Sequence, residues 1–149
     1  VGYPTEAEES EIGVATTRDD VADLKAVLTG KDIIRFQGLV RKVPVAPHVA
    51  KYATQLVRAT RPFEASGHDI AKKWIQWGAG PRAIQYLLIG GKARAILHGN
   101  TYVSTEDVRA SAVSVLRHRL VPSFAAEAEG VDTVKIVQEL VKAVPEPKE

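Results

Sequence analysis

With 149 residues, 45% of them hydrophobic and 26% charged, the chain is sized for about one globular domain with a real core. The absence of cysteine excludes a disulfide framework and a thiolate metal site, and no apolar run approaches the ~20 residues of a membrane span. The net charge of +2 hides an asymmetry: residues 1–20 carry six acids against one base, and the remainder, with 19 bases against 12 acids, is moderately basic without the dense basic arm of a nucleic-acid binder.

In chain order the pattern is helical almost throughout. Thr5-x-x-Glu8 after Pro4 is a capping box, predicting a short helix or connector. A modest helix is expected from about Asp20 to Leu28, stopped by Thr29-Gly30. Asp32 to Val43 places Phe36, Leu39, Val40 and Val43 on one face at helical spacing, and Pro44 ends it. Pro47 then opens a helix whose stripe is Val49, Tyr52, Ala53, Leu56 and Val57, closed by Arg61-Pro62.

Between Phe63 and Gly80 the glycines break up a short segment, Ile70–Trp77, in which Trp74 and Trp77 are expected as packing anchors. The clearest helix follows Pro81, with Ile84, Leu87, Leu88, Gly91 and Ala95 on one face and His98-Gly99-Asn100 as its C-terminal stop. Ser104-x-x-Asp107 caps the next helix, which carries Val108, Ala112, Val115 and Leu116 and ends in Arg117-His118-Arg119. A loop from Val121 to Gly130 leads to a last helix, Asp132 to Val144, with Val134, Val137, Leu140, Val141 and Val144 inward.

The expected fold is therefore all-α, a compact bundle of about five or six helices with at most a minor β pairing involving Tyr102-Val103 or Phe124. Residues 1–30 read as a connector with the first short helices, and 31–149 as the helical domain. The chain begins at Val1 and contains no methionine, which points to a piece of a longer polypeptide whose function belongs to the whole. With no span and no signal-peptide pattern, a cytoplasmic location without a membrane partner is expected.

Catalytic signatures are missing. Gly90-Gly91-Lys92-Ala93 is the nearest approach to a phosphate-binding loop, but Ala93 lacks the required hydroxyl, Tyr86 replaces the first glycine, and the segment lies inside a helical pattern. There is no apolar strand ending in Asp-Glu, no G-x-S-x-G and no H-E-x-x-H. His48, His68, His98 and His118 have no ligand spacing, so no metal site is expected. Taken alone, the chain is not expected to catalyse a reaction.

One local oddity carries functional information. Trp77-Gly78-Ala79-Gly80-Pro81-Arg82-Ala83 is a glycine turn that launches a long helix with an arginine in its first turn. A cation is mildly unfavourable at that end of the helix macrodipole, whereas an anion is favoured, so Arg82 is poorly placed for helix stability and well placed to share a phosphate with backbone N–H groups.

The same turn lies in a series of blocks that resembles one family. Gly2-Tyr3-Pro4-Thr5-Glu6-Ala7-Glu8-Glu9, then Val43-Pro44-Val45, then Tyr52 with Leu56-Val57-Arg58-Ala59-Thr60-Arg61, then the Trp77–Ala83 turn, are similar to successive parts of MoxR-type AAA+ ATPases. Gly99-Asn100-x-Tyr102-Val103-x-x-Glu106-Asp107-Val108 and Val115-Leu116-x-His118-Arg119 continue the series in order. Gly80 and Asn100 depart from the serine and arginine of many relatives.

The resemblance implies the C-terminal helical lid of such an ATPase, preceded by a connector from its nucleotide-binding core. It implies that Arg82 is the sensor 2 arginine, which approaches the γ-phosphate of ATP, with Arg61 and Arg119 as secondary phosphate or intersubunit candidates. The implied cofactor is ATP with magnesium, held by the intact protein. The implied partners are the protein's own ATPase core, neighbouring subunits in a ring and, for chaperone-like remodelling, a protein with a von Willebrand factor A domain. The alternative is a free-standing helical adaptor that binds protein or nucleic acid, with Arg82 merely exposed.

Overall fold

A computed structural model describes residues 2–19 and 24–147. Among these residues the chain forms eight helices: α1 (Glu6–Thr16), α2 (Gly30–Lys42), α3 (Pro47–Ala59), α4 (Asp69–Trp74), α5 (Pro81–Leu97), α6 (Thr105–Leu116), α7 (Phe124–Ala128) and α8 (Thr133–Ala143). The strands β1 (Ile75–Trp77) and β2 (Val121–Pro122) pair antiparallel, and Val45 bridges Val103 in parallel. The fold is thus helical with only minor β pairing, as the sequence predicts, although of the expected positions only Val103 takes part and the two-stranded pair forms instead at Ile75–Trp77 and Val121–Pro122. Its helix number exceeds the expected five or six because α4 and α7 are too short to give a periodic signal.

The helix starts follow local chemistry. Thr5 with Glu8, Thr29 with Asp32 and Ser104 with Asp107 form reciprocal capping boxes, in which the hydroxyl accepts the third N–H and the carboxylate accepts the cap N–H. Pro47 and Pro81 occupy the first helical position, where a missing N–H removes a donor that has no partner anyway. At the far end of α5, Gly99 has φ 76° and the Asn100 N–H donates to the Ala95 carbonyl at 2.8 Å, completing the expected stop.

The core is built from α3, α5, α6 and α8, with Tyr52, Leu56, Leu87, Leu116, Ile136 and Leu140 fully buried. Helix α5 packs on α6, α3 and α2. Gly91 lets α5 lie close against the segment that precedes α6, because a Cβ there would stand 2.9 Å from Val103 Cγ1.

Several local expectations need correction. The helix expected over Asp20–Leu28 lies partly outside the described residues, and Leu24–Leu28 are not helical. The expected loop from Val121 to Gly130 contains β2 and α7, started by Ser123, whose hydroxyl accepts the Ala126 N–H. Helix α2 forms as predicted but buries no residue: Phe36 and Leu39 are each 43% exposed, and only Val43 at its end joins the core. Trp77 is 64% exposed and stands edge-on to Phe63, so it does not anchor its segment; Trp74, partly buried against the core, does.

Candidate functional site

The turn before α5 is assembled on the end of α3. Helix α3 stops at Ala59, and Thr60 is completely buried just beyond it. The Thr60 hydroxyl donates to the Val57 carbonyl at 2.6 Å and accepts the Ala79 N–H at 2.9 Å, so both of its hydrogen-bonding roles are used. On the other side of the same residue, Arg61 Nε donates to the Ala79 carbonyl at 3.0 Å. Both backbone polar groups of Ala79 are therefore held by adjacent side chains 18 and 19 positions away in sequence.

This contact is possible only with glycine at its start. A Cβ on Gly78 would lie 2.3 Å from the Thr60 carbonyl oxygen, and one on Gly67 would lie 2.1 Å from that of Arg61. The two glycines let separate turns close on the same backbone stretch.

Glu64 steadies Arg61. Its Oε1 accepts from Arg61 Nη1 and its Oε2 pairs with Arg58, each at 2.9 Å. The Arg61 hydrogen bond holds the Glu64 carboxyl below the usual glutamate range, aided by the charges of Arg58 and Arg61 and opposed by desolvation.

From this platform Gly80 enters α5 as a cap without a side chain, followed by Pro81, Arg82 and the fully buried Ala83. The Ala83 N–H is paired with the Gly80 carbonyl at 3.0 Å and Pro81 has no N–H, so of the first three helical positions only Arg82 offers an open backbone donor. The Arg82 side chain is exposed, and among the described residues it makes no hydrogen bond or ion pair. No acidic residue sits in the first turn of α5 to neutralise it.

The other two arginines are placed differently. Arg61 is half-buried and committed to Ala79 and Glu64. Arg119 lies over the ring of Tyr86, 4.8 Å from its centroid, donates through Nη1 to the Val115 carbonyl and touches His118. Tyr86 follows Arg82 by one helical turn, which puts Arg119 on the Arg82 side of α5.

Beside the turn, a groove of about 320 Å³ is lined by Arg61, Phe63, Glu64, Trp77 and the 78–81 backbone. Lys92, in the glycine-lysine segment, donates from Nζ to the Arg41 carbonyl at 3.1 Å and sits within α5. Among the described residues there is no cluster of three or more metal-ligating side chains.

Thr60, Glu64 and Tyr86 are the members of this site that the sequence does not disclose. Thr60 meets Ala79 and Tyr86 meets Arg119 across long stretches of chain, and no residue spacing signals either pair. A threonine directly before Arg61-Pro62, where α3 must stop, is the one local hint.

Comparison with known proteins agrees with the fold. Residues 68–140 match the family model described as the AAA lid domain. The chain is 31% identical over 152 residues to Chaperone MoxR1 of Mycobacterium tuberculosis, an alignment covering 99% of this chain and 39% of that protein. It is 28% identical to the YeaC protein of Bacillus subtilis, covering 99% of this chain and 43% of that one. A crystal structure from Cytophaga hutchinsonii, described as a "putative ATPase", has a TM-score of 0.81 and 27% identity over 99% of this chain and 45% of that chain. The chain thus spans about two fifths of the length of these curated relatives. Residues 68–140 are an AAA lid domain, and the chain belongs to the MoxR-type AAA+ family.

Proposed function

We propose that this chain acts as the lid of a MoxR-type ATPase, working in a longer polypeptide whose core binds ATP and magnesium, and that Arg82 is its sensor 2 arginine. The observation that carries the reading is an exposed guanidinium without an ion pair, at a helix start without a neutralising acid, on a turn clamped from both sides. A cation held in that setting has an unmet requirement for an anion, and the open Arg82 N–H adds a second donor to the same place.

The residues present fit one side of a phosphate site. They do not fit a magnesium site, since the described residues supply no carboxylate cluster, and the metal ligands on this reading belong to the core. Bound ATP supplies the phosphoanhydride to be cleaved; Arg82 binds the terminal phosphate oxygens and offsets the charge that grows there. Because that contact exists only while the phosphate is present, it favours one lid position before cleavage and not after it. Arg119, one turn along on the same side of α5, is the secondary cation of the site. The engaged donors of Arg61 favour a supporting role for that residue.

Residues 1–30 serve as the connector from the core, a role supported by α1 burying none of its residues. The wider assignment, a cytoplasmic ring of subunits, chaperone-like remodelling and a partner with a von Willebrand factor A domain, follows from the family resemblance, and the name Chaperone MoxR1 supports its remodelling part. None of the helices among the described residues is long and apolar enough to cross a membrane.

The test is Arg82→Ala in the full-length protein. ATP turnover should fall on the order of a hundredfold, as when one transition-state donor is removed. The melting temperature should not change, because Arg82 makes no contact that the fold uses. Unchanged turnover overturns the assignment.

A further inference from the structure

We infer that Thr60 and Arg61 are positioning residues for Arg82, and that they make the phosphate-facing turn move as one body with α3. The inference rests on the proposed role of Arg82 and extends it to two side chains that touch no ligand.

Arg82 stands only three residues after Ala79, and the residues between them are Gly80, which has no side chain to hold it, and Pro81, which cannot donate. Without further support the turn would be a glycine-rich hinge. The structure removes that freedom at Ala79: its N–H is held by a buried hydroxyl and its carbonyl by a half-buried guanidinium. Ala79 itself is 2% exposed, so these bonds are shielded from competing water. The Gly78 backbone lies directly against Thr60, which leaves the turn no space to shift towards α3.

The opposite ends of the clamp are equally firm. Thr60 passes its hydrogen bond to Val57, and Ala53, Leu56 and Val57 of α3 are fully buried in the core. Arg61 is braced by Glu64, which also binds Arg58 on the last turn of α3. A force on the Arg82 guanidinium is therefore delivered to α3 through Ala79 and is not dissipated in the turn. In the other direction, the orientation of α3 sets where Arg82 can reach. Reach matters because a phosphate contact displaced by about 1 Å loses a large part of its effect on rate.

The variant that isolates this role is Thr60→Val, which keeps the shape and removes both hydrogen bonds; Thr60→Ser restores the hydroxyl. In the chain as it stands, exchange of the Ala79 amide should be slow in the wild type and in Thr60→Ser, and at least about tenfold faster in Thr60→Val. In the full-length protein, Thr60→Val should lower kcat by about tenfold when Arg82 is present and leave it unchanged in an Arg82→Ala background, the non-additivity of two residues acting through one contact. Thr60→Ser should recover most of the loss.

Equal losses in both backgrounds would make Thr60 a stability residue only and overturn the inference. Unaltered exchange at Ala79 would overturn it as well. If Arg82→Ala alone leaves turnover unchanged, the Arg82 assignment fails instead, and the inference falls with it. A global melt of each variant separates loss of fold from loss of coupling.

Discussion

Glu64 illustrates how one partly exposed carboxylate can support a buried arrangement. It accepts from Arg61 and Arg58, and its ionised form is favoured in the folded chain. A carboxyl held below its unfolded value contributes stability that is fully present above that value, ~4.3 for glutamate, and lost as the pH falls through the lower, folded one. The melting temperature should thus decline on acidification below about pH 4.3. Glu64→Gln should melt lower at neutral pH and show a shallower decline. Parallel curves for wild type and variant would mean that the carboxylate does not brace Arg61. Arg61 shows the limit of reading a residue by type: its sequence neighbourhood admits a phosphate ligand, whereas its Nε and Nη1 are turned to Ala79 and Glu64.

Single elements were the most legible level, because what starts and stops a helix lies within four residues of its end. Both capping boxes legible in the sequence, Thr5 with Glu8 and Ser104 with Asp107, are present, while Thr29, which the sequence pattern presents as a helix stop, forms a third box with Asp32 and starts α2. Their energetic weight differs with packing. Ser104 starts α6, whose Val108, Ala112 and Leu116 lie in the core, and its partner Asp107 is buried and paired with Arg94. Ser104→Ala should cost about 1 kcal/mol of global stability. Thr5→Ala removes the same bonds from α1, which buries nothing, so it should lower local helicity and leave the global melt unchanged. Thermal melts with site-resolved amide exchange distinguish the two outcomes. Local pattern fails in two ways: α7, with five residues, is too short to display a stripe, and Leu24–Leu28 carry apolar residues yet are not helical.

At the scale of the molecule, the division between core and surface departs most from the sequence pattern. Helix α3 buries its whole predicted stripe, whereas α2, with an equally regular one, leaves Phe36 and Leu39 each 43% exposed, and Ile34, outside the stripe, is 71% exposed. Amphipathic spacing states that a helix has an apolar face, not that this chain covers it. Ile34→Lys should therefore change stability by no more than about 0.5 kcal/mol, against roughly 2–5 kcal/mol for Leu56→Ala in the closed core. A large loss from Ile34→Lys in a denaturant titration would mean that this side of α2 is covered in the folded protein.

The sequence by itself determined the helical class, the starts and stops of the main helices, the family resemblance and the singular position of Arg82. These depend on residues close together in the chain: a cap and its third neighbour, a stripe at helical spacing, a glycine before a proline. Only the tertiary structure decided that Trp77 is exposed, that α2 is largely uncovered and that Ala79 is clamped by Thr60 and Arg61. The physical reason is range. Burial and hydrogen bonding between residues 18 or more positions apart follow from how the helices pack, and no local pattern of side chains encodes that distance.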